Sequence, residues 1–166
     1  MSRTTRIALA AALGALVPVG CKSKDAAVHV QPTAASVDVL HPGVTVVESD
    51  GRTRAPFTMA RVESAGRVRT SAEGRALVRT DDGLELRLAG DTEVRFTAGH
   101  PRVERGRVFV RAWGEDERTL GVGGAITLGI GEAALEVERD ASETVRVIEV
   151  RGEVSWRMTS SQGRLA

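Results

Sequence analysis

Residues 66–96 read GRVRTSAEGRALVRTDDGLELRLAGDTEVRF. Within them Leu84, Leu86 and Leu88 are separated by Glu85 and Arg87, and Val94 and Phe96 enclose Arg95. Apolar side chains at every second position put one face of a strand in a core and the other in water. Asp82-Gly83, between two such runs, is a hairpin signal, because glycine accepts a positive φ and aspartate bonds the turn backbone. The stretch reads as strand, turn, strand, with no helical period.

The same alternation extends outward in both directions. Val44 and Val46 flank Thr45, while Ile126, Leu128 and Ile130 are separated by Thr127 and Gly129. Leu135 and Val137 alternate with Glu136 and Glu138, and Val154, Trp156 and Met158 alternate with Ser155 and Arg157. Glycines at 66, 74, 83, 90, 99, 106 and 114 leave room for one short strand and a tight turn each time. GRVRT at 66, GRALVRT at 74 and GRVFVRA at 106 echo one another as recurring strand-turn units do. These patterns predict an all-β single domain of short antiparallel or solenoid-like strands, either β-solenoid-like or a β-sandwich.

Composition narrows the function. The chain has 166 residues, with 23 Lys+Arg against 22 Asp+Glu. That balance lacks the positive surplus by which nucleic-acid binders displace counterions from phosphates. Tyrosine is absent and only 3 Phe and 2 Trp are present, so stacking platforms for single strands are excluded as well and no nucleic-acid partner is expected. The core must rest on Val, Leu, Ile and Ala.

Residues 1–6, MSRTTR, carry two Arg and no acid, and Ile7 to Val19 runs IALAAALGALVPV without a charge. This is the layout of a secretory signal. As a helix, that run covers about 20 Å, short of a hydrocarbon core of about 30 Å. Cys21, the one cysteine, follows directly behind small Gly20. The arrangement resembles the lipobox of bacterial lipoproteins, in which the cysteine becomes a diacylglyceryl thioether and the leader is cut just before it. Pro18 stands where that motif usually has Leu. A lone thiol has no disulfide partner, whereas acyl chains buried at about 0.8 kcal/mol per CH₂ attach a protein firmly to a bilayer. Lys22 after the cysteine, rather than Asp, favours the outer membrane of a Gram-negative envelope.

The expected organisation is a signal peptide at 1–20, a lipidated Cys21 and flexible tether to 36, a β domain at 37–158, and a structureless tail at 159–166. The tether, KSKDAAVHVQPTAAS, is small, polar and broken by Pro32; the tail, TSSQGRLA, has no apolar period.

No motif commits the chain to catalysis, and no cofactor is expected. Asp81, Asp82, Glu85, Asp91 and Glu93 lack the spacing of a calcium loop. GVGG at 121–124 has the glycines of a phosphate loop, but AITLGIG continues as strand where a helix is required. His29, His41 and His100 fall in the tether and in turns, without paired-ligand spacing. Asp81, Asp82, Asp91 and Glu115 are the carboxylates to test for an envelope hydrolase, the least favoured function. Arg102, Arg105, Arg107 and Arg111 read first as the solvated face of strands. Trp113, an aromatic beside a turn, joins Arg105, Arg107 and Arg111 as the candidates for partner contact.

Gly66, Val68 and Thr70, then Asp82, Gly83, Leu84, Leu86 and Leu88, then Thr92 and Val94 follow the run of the FecR family of periplasmic sensory domains. VERGRVFVRA around Gly106 and VRVIEVRGEVSW around Gly152 continue the match, so the chain resembles that family over about residues 40–157. The segment TLGVGGAITLGIGEAALEVER departs from the family's V-x-T-P strand and GT-x-F turn. The resemblance implies an all-β domain used for protein contact rather than catalysis. It leads to the expectation of a noncatalytic, lipid-anchored binding or scaffold module contacting an envelope protein or polysaccharide. The alternative is an accessory sensor paired with a separate regulator or transporter.

Overall fold

The structure, a computed structural model, describes residues 33–97, 100–158 and 161–165. The expected signal segment, Cys21 and most of the tether lie outside the described residues, as does His29. Among the described residues there is no helix, and the elements in order are β1 (Thr33–His41), β2 (Val44–Val47), β3 (Thr53–Arg54), β4 (Met59–Glu63), β5 (Arg67–Thr70), β6 (Arg75–Thr80), β7 (Leu84–Leu88), β8 (Glu93–Thr97), β9 (His100–Ala112), β10 (Arg118–Val122), β11 (Ile126–Ile130), β12 (Ala134–Arg139), β13 (Val145–Arg151), β14 (Val154–Met158) and β15 (Ser161–Leu165).

These strands form one hydrogen-bonded sheet that curls back on itself. Two ladders meet in β9. The short ladder runs β4-β1-β6-β7-β9-β12-β13, using the second half of β9. The long ladder runs β3-β2-β5-β8-β9-β10-β11-β14-β15, using the first half. Every ladder is antiparallel except the two-residue register between β9 and β10. The parallel stacking of a solenoid is confined to that contact.

Alternation becomes core through register. Ala60, Val37, Val78, Leu86, Val110 and Leu135 lie directly opposite one another across the short ladder. Val46, Val68, Val94, Val103, Val122 and Ile126 do the same across the long ladder. Both rows belong to a single buried cluster, except that Ile126 is partly buried and packs against it, and Phe96 adds the largest fully buried side chain. At about 25 cal/mol per Å² of apolar surface, these two aligned rows are the main source of the domain's stability.

Gly106 lets β9 pass from one ladder to the other. Its φ is +89°, a conformation that L side chains rarely adopt. A Cβ there would stand 2.5 Å from the Thr92 hydroxyl and 2.6 Å from the Thr92 Cα, so the corner is closed to side chains. Thr92 is fully buried; its hydroxyl accepts the Arg107 N–H at 3.2 Å, and its own N–H donates to the Thr70 hydroxyl at 3.0 Å. Thr70 in turn donates to the Ala89 carbonyl at 2.6 Å.

Two expected boundaries move. β1 begins at Thr33, not 37, because Ala35 and Ser36 already pair with Val62 and Arg61 on one side and with Thr80 and Arg79 on the other. The segment expected to be a structureless tail contains β15, registered against β14 from Met158↔Ser161 to Val154↔Leu165. Main-chain hydrogen bonding at a sheet edge needs no apolar alternation, which is why the tail's side chains do not announce it.

Candidate anion-binding face

The long ladder's outward row is built by the same register that builds its core. Arg67 of β5 lies opposite Arg95 of β8, and Arg95 lies opposite Arg102 of β9. One step along, Arg69, Glu93 and Arg105 form the next row. Their neighbours Val68, Val94 and Val103 are fully buried, so the intervening arginines point outward.

Five guanidinium groups thus surround one central carboxylate, and three of them, Arg67, Arg69 and Arg105, contact it. Glu93 receives Arg67 Nη1 at 3.4 Å and Arg69 Nη2 at 3.1 Å as hydrogen bonds on Oε1. Arg69 Nε approaches its Oε2 at 3.0 Å and Arg105 Nε at 3.9 Å. The Arg69 Nε contact is close in distance but too poorly aligned to count as a hydrogen bond. Arg102 lies across Gly121, whose missing side chain makes room, and donates from Nη1 to the Gly123 carbonyl at 3.0 Å. The Arg95 side chain is exposed and, among the described residues, has neither ion pair nor hydrogen bond. Like charges directly opposite across strands destabilise a sheet, by roughly 0.2–1 kcal/mol for a pair. The other carboxylates of this ladder sit at its margins: Glu117 bonds Ser155, and Glu48 and Asp50 pair with Arg54 and Arg52. Glu104 occupies the bulge between Val103 and Arg105.

The four residues expected to contact a partner do not form one site. Arg105 belongs to the arginine rows, and Arg107 lies past the corner, opposite Glu138 of β12. Both line a hollow of about 520 Å³ at Gly106, shared with Arg75, Asp91 and Arg139. Arg111 and Trp113 lie at the far end of the strand, with the Arg111 guanidinium 4.9 Å from the ring centroid. That contact braces Trp113, which remains 47 % exposed.

Sequence reading missed Arg67, Arg69 and Arg95 as partners of Arg102 and Arg105. Each sits at an outward position of its own strand, but their convergence depends on β5, β8 and β9 being neighbours, which alternation does not encode.

The carboxylates named for hydrolysis are dispersed. Asp81 and Asp82 occupy the β6–β7 turn, where Asp81 pairs with Arg61 at 3.5 Å and the Asp82 carboxylate lies 3.8 Å from His100 Nδ1. Asp91 is at the opposite end of β7, a separation of about 17 Å along an extended strand of that length. Glu115 is exposed in the β9–β10 loop. Among the described residues no group of three or more His, Cys, Asp or Glu could hold a metal ion. An apolar cleft of about 280 Å³ lies between Val145 and Val147 of β13 and Ile126, Leu128, Trp156 and Met158 of the long ladder.

No family model, curated protein or solved structure matches the chain.

Proposed function

We propose that this is a noncatalytic binding or scaffold module of a Gram-negative cell envelope, held on the membrane by lipid at Cys21. Its FecR-like β domain engages an acidic component of the envelope, for which protein and polysaccharide both offer chemistry. The observation carrying this proposal is the open row Arg67–Arg95–Arg102, backed by Arg69 and Arg105 around the single carboxylate of Glu93. A guanidinium presents a planar fork of donors suited to carboxylate and phosphate oxygens. An outward sheet face offers such forks to an extended partner rather than enclosing a small substrate. The resemblance to FecR domains rests on the order of strand-turn motifs from Gly66 to Gly152 and agrees with a contact role. The anchor rests on the leader and on Cys21.

In-cell cross-linking of the full-length protein, with mass spectrometry of what is captured and of its own N-terminal peptide, tests both parts. Recovery of an acidic envelope partner, lost on Arg95→Glu, together with a lipid-modified Cys21 is the expected result. An unmodified Cys21 overturns the anchor, and capture indifferent to Arg95→Glu overturns the arginine face.

A further inference from the structure

We infer that the outer face of β5, β8 and the first half of β9 docks on the phosphate headgroups of the membrane that carries the protein. This rests on the anchor proposed above and gives the arginine face a further acidic surface, the bilayer itself, beside the protein or polysaccharide of that reading.

The inference comes from where the chain enters the domain. Thr33, the first described residue, registers with Glu63 at the end of β4. The turn after Glu63 leads directly into Arg67, with the Gly66 N–H closing on the Glu63 carbonyl at 2.9 Å. The Gly66 carbonyl then accepts the Phe96 N–H at 2.9 Å, next to Arg95. The row Arg67–Arg95–Arg102 therefore lies at the end of the domain from which the tether departs. The chain between Cys21 and Thr33 can span at most about 40 Å. A lipid on Cys21 keeps this end within that distance of the bilayer, where an exposed cation layer meets an anionic surface.

Charge also sets the orientation. The Asp81–Asp82 turn closes on the start of β9 through His100, and Arg118 Nε donates to the Asp82 carbonyl at 2.9 Å, bringing in the loop of Glu115 and Asp116. An approach straight onto this end would press those carboxylates against phosphates. Lying on the long ladder's outer face instead presents Arg67, Arg69, Arg95, Arg102 and Arg105. Arg157 of β14 extends the same row beyond Gly121 and Thr127. The domain thus lies on its side at the membrane.

The test uses the full chain with Cys21→Ser, which removes the anchor and leaves the face, in flotation with vesicles of phosphatidylcholine alone or mixed with phosphatidylglycerol. Flotation only with the mixed vesicles, abolished in molar salt, is expected. Arg67→Glu/Arg95→Glu in that background should weaken it at least about tenfold, since each surface arginine contributes roughly fivefold near an anionic bilayer. Arg95→Glu alone, which breaks no ion pair, guards against a folding defect. Equal flotation on both vesicle types, or unchanged flotation of the reversed variants, overturns the inference. So does retention on immobilised polygalacturonate with no preference for phosphatidylglycerol, which would assign the face to an acidic polysaccharide and leave the proposed function standing. The mass of the wild-type N-terminal peptide decides the anchor separately: an unmodified Cys21 removes the anchor whichever way the vesicles behave.

Discussion

The two outward faces of this sheet are made from the same residue types and end in opposite electrostatic states. On the short ladder, Arg79 meets Asp38 and lies 3.5 Å from Glu85, Arg87 reaches Glu85 at 3.3 Å, and Arg146 reaches Glu138 at 3.7 Å. Each of these three arginines has an acid in the facing strand or its own. On the long ladder, arginine faces arginine across three consecutive strands. Composition cannot distinguish these faces, because both draw on strands that read as apolar residues alternating with charged ones. Register decides the difference, and β9 supplies both.

The strongest way to break the comparison is to remove the corner that creates it. Gly106→Val places a β-branched side chain at a φ of +89° with Thr92 atoms 2.5 and 2.6 Å from its Cβ. Left-handed strain and overpacking together should cost about 3 kcal/mol or more. Urea denaturation would show a lower midpoint. An unchanged midpoint would mean that the two ladders do not depend on this bend.

Thr92→Val asks whether the ladders are coupled by the buried hydroxyl or by the backbone alone. It keeps the shape but leaves the Arg107 N–H and the Gly90 and Arg107 carbonyls near an apolar group. A buried donor left without an acceptor costs about 1–3 kcal/mol. A loss within error of zero would place the coupling in the backbone.

These two positions also show how far the sequence could be read. The alternation at Leu84–Leu88 and Val94–Phe96, the Asp-Gly turn and the all-β class are legible because each depends on neighbours within a few residues. The role of Gly106 is only half legible. Its glycine marks a break, but the same strand resumes beyond it, so β9 is one element serving two ladders rather than two strands and a turn. The arginine face was not legible, because Arg67, Arg95 and Arg102 are far apart in the chain and nothing local names their neighbours. β15 stayed hidden for a related reason, as its pairing with β14 is made by main-chain groups.

Charge reversal sharpens the comparison directly. Arg79→Glu removes the partner of Asp38 and Glu85 and sets three acids together, so it should destabilise by up to about 1 kcal/mol in low salt. Arg95→Glu removes a repelling cation between Arg67 and Arg102 and should be neutral or stabilise by a few tenths of a kcal/mol. Both shifts should shrink in molar salt. Equal destabilisation by the two variants would show that the faces are electrostatically alike.

The smallest expected effect compares one turn from each ladder. Asp140, before β13 of the short ladder, has its carboxyl held below the usual range, first by the Ser142 hydroxyl and then by the Thr144 and Ser142 N–H groups. Asp50, between β2 and β3 of the long ladder, is also held low, first by the Arg52 N–H and then by its guanidinium. A lowered folded pKa means that the stabilisation is fully present above the unfolded carboxylate pKa and is lost as pH falls through the folded value. Amide exchange at Ser142, Thr144 and Arg52, corrected for the intrinsic pH dependence, should therefore lose protection below the ordinary aspartate range. Added salt should weaken the Asp50 turn even at neutral pH, because part of its hold is an exposed ion pair, while the Asp140 turn, held chiefly by a hydroxyl and two amides with Arg146 contributing least, should respond less. Identical salt responses would show that Arg52 contributes through its backbone alone, leaving the Arg67–Arg95–Arg102 face as the long ladder's main salt-sensitive feature.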